Sequence, residues 1–287
     1  MNKFIFSQAI NPKRFDNLLA STNEDIWLTH VLDRIIYRCQ NSNNPYFNNK
    51  KQCFTEPLDA LCGFVGATSI RTLQTALSKL EQLGWIRRQA TPDEAGKKCH
   101  IWLTDDLLAH LPQLPASANA PQFHQAENID RFDALLRLCQ KQGSAGVVLA
   151  YVLDRFIYRT QNSNRSDDEG NRYFVFALEK LAANCHISVS TLQRQINMLV
   201  KLGLVIKTKV RLLGYRVETR YSIAPVVWSD LQVADMATMQ RRIEHQQQAA
   251  LDEADASPVQ ESEEANPTHE GIDQFRHEET DHNINKN

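Results

Sequence analysis

The chain has 287 residues, enough for two units with cores of their own. Its 42% hydrophobic and 23% charged content is that of an ordinary globular protein, and the absence of an apolar run of about eighteen residues argues against a membrane span. The formal net charge of −2 conceals an asymmetry: residues 225–287 carry four Lys/Arg against fourteen Asp/Glu, leaving 28 basic and 20 acidic residues in 1–224. A basic body with an acidic tail fits a nucleic-acid partner for the body. The apolar stretch in MNKFIFSQAINPKRF is too short for a signal peptide, so a cytoplasmic protein is expected.

Cys39, Cys53, Cys62, Cys99, Cys139 and Cys185 form no C-x-x-C pair and do not recur at equivalent places. Metal sites need clustered ligands at set spacing, so reduced, partly buried thiols are expected, with no metal and no cofactor.

The first long helix sets the organisation, because it occurs twice. Val31–Asn43 reads VLDRIIYRCQNSN and Val152–Asn164 reads VLDRFIYRTQNSN, differing only at Ile35/Phe156 and Cys39/Thr160. A repeat period of about 120 residues means duplicated domains and not a solenoid. The expected division is a first domain over 1–110, a linker over 111–127, a second domain over 128–225, a C-terminal helix over 226–250 and a disordered acidic tail over 251–287.

In chain order, each copy opens on a short helix, with Arg14-Phe15-Asp16 before Leu18-Leu19 and Arg131-Phe132-Asp133 before Leu135-Leu136. The repeated helix follows, its apolar positions Trp27, Val31, Leu32, Ile35 and Ile36 matched by Val148, Val152, Leu153, Phe156 and Ile157. Asp33-Arg34 and Asp154-Arg155 interrupt these stripes as neighbours that cannot both face one core. Arg34, Arg38, Arg155 and Arg159 are candidates either for contacts to a nucleic-acid backbone or for holding Asp33 and Asp154, and internal pairing is the expected use. Gln-Asn-Ser-Asn ends each helix with turn-forming residues. Short strands are predicted at Gln52-Cys53-Phe54-Thr55 and Phe174-Val175-Phe176, the second after an inserted solvated loop RSDDEGNR.

Next come two helices and a turn. The second helix is capped by Thr68 or Ser69 in copy one and Ser188 in copy two, and ends at Leu83-Gly84 or Leu202-Gly203. Its predicted buried stripe is Ile70, Leu73, Leu77 and Leu80, or Val189, Leu192, Ile196 and Leu199. An apolar strand and a hairpin close each copy, the first turning over Thr91–Gly96 and the second around Gly214. Leu111–Glu127, rich in Pro and Ala, reads as linker. After Pro225, Trp228, Leu231, Met239 and Ile243 outline the last helix.

The succession helix, turn, capped helix, Leu-Gly, apolar strand, basic hairpin is similar to the winged helix-turn-helix. SIRTLQTALSKLEQLGWI and SVSTLQRQINMLVKLGLVI look like that family's recognition helix entering its first wing strand. The resemblance covers most of 14–104 and 131–224. The Ile-Tyr-Arg helix end and the following Tyr-Phe segment resemble winged-helix proteins of plasmids and phages, among them replication initiators with two tandem winged helices. The fold this implies is mainly α with small β wings, an α+β class of two tandem winged helices.

In a helix-turn-helix the second helix enters the major groove and its outward side chains meet base edges. The residues so implied are Ser69, Arg71, Thr72, Gln74, Thr75, Ser78 and Lys79 in copy one. In copy two they are Ser190, Thr191, Gln193, Arg194, Gln195, Asn197 and Lys201. Arg pairs with guanine and Gln or Asn with adenine, whereas Ser and Thr suit phosphate. The wings add Arg87, Arg88, Lys97 and Lys98, then Lys207, Lys209, Arg211, Arg216 and Arg220, with Lys207, Lys209 and Arg211 alternating onto one strand face. The expected partner is double-stranded DNA, read at adjacent segments by the two copies. The acidic tail is a candidate for recruiting a protein partner.

Catalysis is not expected. Gly96-Lys97-Lys98 lacks the upstream glycine and the hydroxyl of a phosphate-binding loop, and no paired-histidine or clustered-carboxylate motif suggests a nuclease. Within DNA binding, a replication initiator and a transcriptional regulator (a repressor) are both compatible with the residues. A protein-interaction adaptor is the reading from another class.

Overall fold

In a computed structural model of the chain, the structure describes residues 9–42, 53–90, 98–110, 126–212 and 217–233. Copy one runs α1 (Pro12–Ser21), α2 (Ile26–Gln40), β1 (Cys53–Pro57), α3 (Leu58–Phe64), α4 (Ile70–Gln82), β2 (Ile86–Ala90), β3 (Lys98–Leu103) and α5 (Asp105–His110). Copy two runs α6 (Ile129–Cys139), α7 (Gly143–Gln161), α8 (Leu178–Asn184), α9 (Val189–Lys201), β4 (Val205–Arg211) and β5 (Val217–Ile223). The class is α+β, mostly helical with two small antiparallel sheets. Residues 225–233 are helical; the remainder of the expected C-terminal helix and the acidic tail lie outside the described residues. So do Thr91–Lys97, the Gly214 turn and the expected linker up to Gln125. α5 was not legible in the sequence, where its six residues carry no long periodic pattern.

Helix starts follow the sequence closely. Asn11 and Asn128 accept hydrogen bonds from the Arg14 and Arg131 amides and so cap α1 and α6. Asp25 does the same for α2 through the Leu28 amide. The repeated helices end at Gln40 and Gln161, where the Asn-rich turn was expected. α7 is 19 residues long against 15 for α2, its extra turn opening at Gly143. Gly143 has φ +64°, and a Cβ there would sit 2.9 Å from Thr68 Cγ2 of copy one, so a side chain would be strained and would displace Thr68.

The sheets differ between copies. β3 lies between β1 and β2, with Phe54 opposite Ile101 and Arg88 opposite Ile101 on its other side. In copy two β4 pairs with β5, but the expected strand Phe174–Phe176 shrinks to a single bridge between Phe174 and Tyr221. In copy one the cross-strand hydrogen bond between Thr55 and His100 and the ion pair of Glu56 with Arg38 (3.1 Å) hold β1 for its whole length. Val175 and Phe176 stand at the matching positions, and Phe176 instead lies under the Arg159 guanidinium, 4.6 Å away.

One continuous apolar core runs through both copies, with Val31, Leu32, Ile35 and Ile36 of α2 and Val152, Leu153 and Phe156 of α7 fully enclosed. The six cysteines are free and buried.

The Asp-Arg pairs correct the sequence reading. Asp33 and Arg34 are both fully buried, as is Asp154, because they face the other copy and not solvent. Asp33 accepts hydrogen bonds from the amides of Ala126 (2.7 Å) and Glu127 (3.0 Å). Asp154 accepts one from the Ala9 amide at 3.1 Å. Arg34 pairs with Asp133 at 2.8 Å and with Glu127 at 3.4 Å, and Arg155 lies 3.6 Å from Asp16. The arginines thus reach across to the opposite copy; the expected hydrogen-bonded pairing with Asp33 and Asp154 does not form. Arg38 pairs with Glu56 instead. Burial pushes the Asp33 carboxyl up to about 7, helped by neighbouring Glu127, while the two amide donors and Arg14 pull it down. Burial likewise pushes Asp154 up to about 6. Ala126 and Glu127, read as the end of a linker, are buried and complete this contact.

Candidate nucleic-acid interface

α4 and α9 are mounted in the same way. Ser69 and Ser188 each accept the amide N–H three residues on, Thr72 and Thr191, at 3.2 Å. Each helix ends in a turn through a left-handed glycine, Gly84 at φ +78° and Gly203 at φ +71°, which redirects the chain into the hairpin. Leu73, Ala76, Leu77 and Leu80 seat α4, and Leu192, Ile196 and Leu199 seat α9. Replacing one such leucine by alanine costs about 2–5 kcal/mol.

The predicted stripes begin one residue too early. Ile70 is 42% exposed and Val189 37%, because each occupies the first helical position, beyond the reach of the core. They are apolar side chains at matching places on otherwise polar faces. Periodicity assigned them to the core; only their position in the first turn hinted otherwise.

The outward face of α4 presents Arg71, Gln74, Thr75, Ser78 and Lys79, which rim a shallow groove of about 400 Å³ with Gln82. Arg71, Gln74, Thr75 and Lys79 are exposed and Thr72 is half-buried, its hydroxyl within hydrogen-bond distance of Ser69 Oγ at 3.0 Å. Ser69 therefore serves the helix as its cap. On α9, Ser190, Gln193, Arg194, Asn197 and Lys201 are exposed, and Thr191 and Gln195 are half-buried. Arg194 donates to the Thr191 hydroxyl at 3.2 Å, which points its guanidinium toward the helix start. Both sequence-derived faces are thus brought to the surface.

A second depression, of about 380 Å³, lies beside the start of α4 and is lined by Asp25, Ser69, Arg71, Lys79 and Ser144. Ser144 comes from copy two, whose Gly143 amide donates to the Gly66 carbonyl in the turn before α4 at 2.8 Å. His30 bridges the Glu127 carboxylate, 2.9 Å from Nδ1, and the Val65 carbonyl in the same turn, 3.0 Å from Nε2. The contact between copies therefore fixes where α4 starts.

The hairpins differ in how free their cations are. Arg87 is exposed, but Arg88 folds back onto α4, donating to Glu81 at 2.9 Å and to Ser78 Oγ at 2.7 Å. Lys98 is exposed, and Lys97 and Arg216 lie outside the described residues. Lys207, Lys209 and Arg211 are all exposed, and so are Ile206 and Thr208 beside them, with Lys207 Nζ 6.0 Å from the centre of the Tyr221 ring. Arg220 is engaged by Glu218 at 2.9 Å and by the Tyr173 ring at 4.4 Å. Among the described residues no group of His, Cys, Asp and Glu could hold a metal ion, and no helix is long and apolar enough to cross a membrane.

No family model matches the chain, and no curated protein matches it. Among solved structures it is similar to one described as a possible transcriptional regulator from Methanosarcina mazei Go1, with 15% identity over 46% of this chain and 98% of that one, and a TM-score of 0.25. It is also similar to a structure described as the N-terminal domain of a DNA binding protein, with 22% identity over 39% of this chain and 82% of that one, and a TM-score of 0.27.

Proposed function

We propose that the chain binds double-stranded DNA through two winged helix-turn-helix units, one in each copy. The observation that supports this most is the twofold occurrence of one assembly: a short helix, a turn, a serine-capped helix with a polar outward face, and an antiparallel hairpin bearing exposed cations. α4 and α9 are the recognition helices in this reading. Arg71, Gln74, Arg194, Gln193 and Asn197 reach base edges, and Lys207, Lys209, Arg211 and Arg87 contact phosphate.

The direct test is fluorescence anisotropy of the full chain with a labelled duplex over a series of salt concentrations. A log-log slope of several units is expected from the released counterions. Binding that is absent at low salt would sink the reading and leave the protein-interaction adaptor.

The biological role proposed with this activity is that of an initiator of plasmid or mobile-element replication, supported by the resemblance of the two-copy architecture to such proteins. Mapping the bound sequence onto its replicon decides it: repeated sites beside an origin support the role, and a single site inside a promoter identifies a regulator instead.

A further inference from the structure

Several contacts between the copies come in reciprocal pairs. Ala9-Ile10-Asn11 and Ala126-Glu127-Asn128 occupy matching places before α1 and α6. They pair antiparallel, the Asn11 amide donating to the Ala126 carbonyl and the Asn128 amide to the Ala9 carbonyl, both at 2.7 Å. Asp33 of copy one holds the Ala126 amide, and its counterpart Asp154 holds the Ala9 amide. Arg34 reaches Asp133 and its counterpart Arg155 faces Asp16. The ring of His30 packs on Phe132 with centroids 5.4 Å apart, and Tyr151, in the place of His30, stacks on Phe15 at 5.0 Å.

When residue i of one unit meets j of the other, and j of the first meets i of the second, the units are related by a twofold rotation. Tandem copies related by translation would make each contact only once. The chain is thus a dimer in one polypeptide, and its two recognition helices carry opposite directions about the local axis.

We infer that its DNA target is an imperfect inverted repeat, one half-site for α4 and one for α9, bound by a single chain. This rests on the DNA-binding reading above. Twofold proteins read pseudo-palindromes because the symmetry of the site mirrors their own. The imperfection follows from a position-by-position comparison of the helices. Gln74 matches Gln193, and exposed Ile70 matches exposed Val189, so both half-sites carry an adenine for Gln and a thymine methyl for the apolar side chain. Arg71 has Ser190 as its counterpart, whereas Arg194 has Thr75. Each helix thus offers one arginine to a guanine, but the two are placed four residues, about 6 Å along the helix, apart. The guanines consequently stand at different distances from the centre of the site.

Selection of bound duplexes from a random-sequence pool by the full chain, followed by titration of the selected site, tests this. The expected product is two half-sites in inverted orientation, bound one chain per duplex. Reversing one half-site into a direct repeat at constant spacing is expected to weaken binding about tenfold or more. Arg71→Ala is expected to relax the guanine in one half-site only, and Arg194→Ala the guanine in the other. Enrichment of direct repeats, indifference to the reversal, or two chains per duplex would overturn the inference while leaving DNA binding intact. Failure to enrich any sequence, together with no salt-dependent binding to bulk duplex DNA, would instead remove the reading beneath it.

Discussion

The two copies share a plan and differ in what secures it. On the copy-one side of the contact, Arg34 is fully enclosed and joined to Glu127, which is itself enclosed and shared with His30. On the copy-two side Ile10 stands where Glu127 does, Tyr151 replaces His30, and Arg155 faces Asp16, which is 48% exposed. The same rotation is therefore held by a dry ionic cluster on one side and by a ring stack with a wetter ion pair on the other. The hairpins differ too: Glu81 ties Arg88 to α4, but its counterpart on α9 is Val200, and Lys207 remains at the surface. The backbone relation is shared, while the side chains differ: one side of the contact is held by buried charge, and copy two leaves its hairpin cation exposed.

Single substitutions separate the two halves of that comparison. Arg34→Ala leaves the buried Glu127 carboxylate with His30 as its side-chain partner and is expected to cost about 3–5 kcal/mol in urea unfolding. Arg155→Ala removes a looser pair with half-exposed Asp16 and the hydrogen bond to the Tyr151 hydroxyl (3.1 Å), and is expected to cost less, about 1–2 kcal/mol. Equal losses would erase the distinction drawn between the two sides. In DNA titrations at fixed salt, Arg71→Ala and Arg194→Ala should each weaken binding by about 1–3 kcal/mol. A loss confined to one of them would mean that only one copy reads bases.

Ser69→Ala and Ser188→Ala remove equivalent caps. Each should lower stability by about 1 kcal/mol, and unequal values would show that the starts of the two helices are supported differently by their surroundings. The smallest effect concerns the hairpins. Lys207→Ala is expected to reduce the log-log salt slope of DNA binding by about one unit. Arg88→Ala should change it less, since Glu81 already neutralises that guanidinium; a larger change for Arg88 would reverse the assignment of the free cation.

Much of the local structure was legible because it is written in short-range chemistry. The serine caps, the Leu-Gly exits and the stripes through Leu73, Leu77 and Leu80, or Leu192, Ile196 and Leu199, all depend on neighbours within a turn or two. The outward faces of α4 and α9 followed by subtraction. Errors arose where a side chain's environment comes from far along the chain. Ile70 and Val189 fit the helical period but lie past the edge of the core. The strand expected at Phe174–Phe176 has the apolar pattern yet lacks the cross-strand partners that hold β1. Ala126 and Glu127 look like linker because the carboxylate that satisfies their amides belongs to Asp33.

By itself the sequence determined that one unit occurs twice and which helix of each unit turns a polar face outward, because repetition and periodicity are properties of residue order. The meaning of VLDR in those repeats was decided only in three dimensions. An aspartate and an arginine side by side on an apolar helix look incompatible with burial until the opposite copy supplies amide donors for one and carboxylates for the other. That reciprocity is a relation between residues more than ninety positions apart, and it sets the twofold arrangement of the two helices.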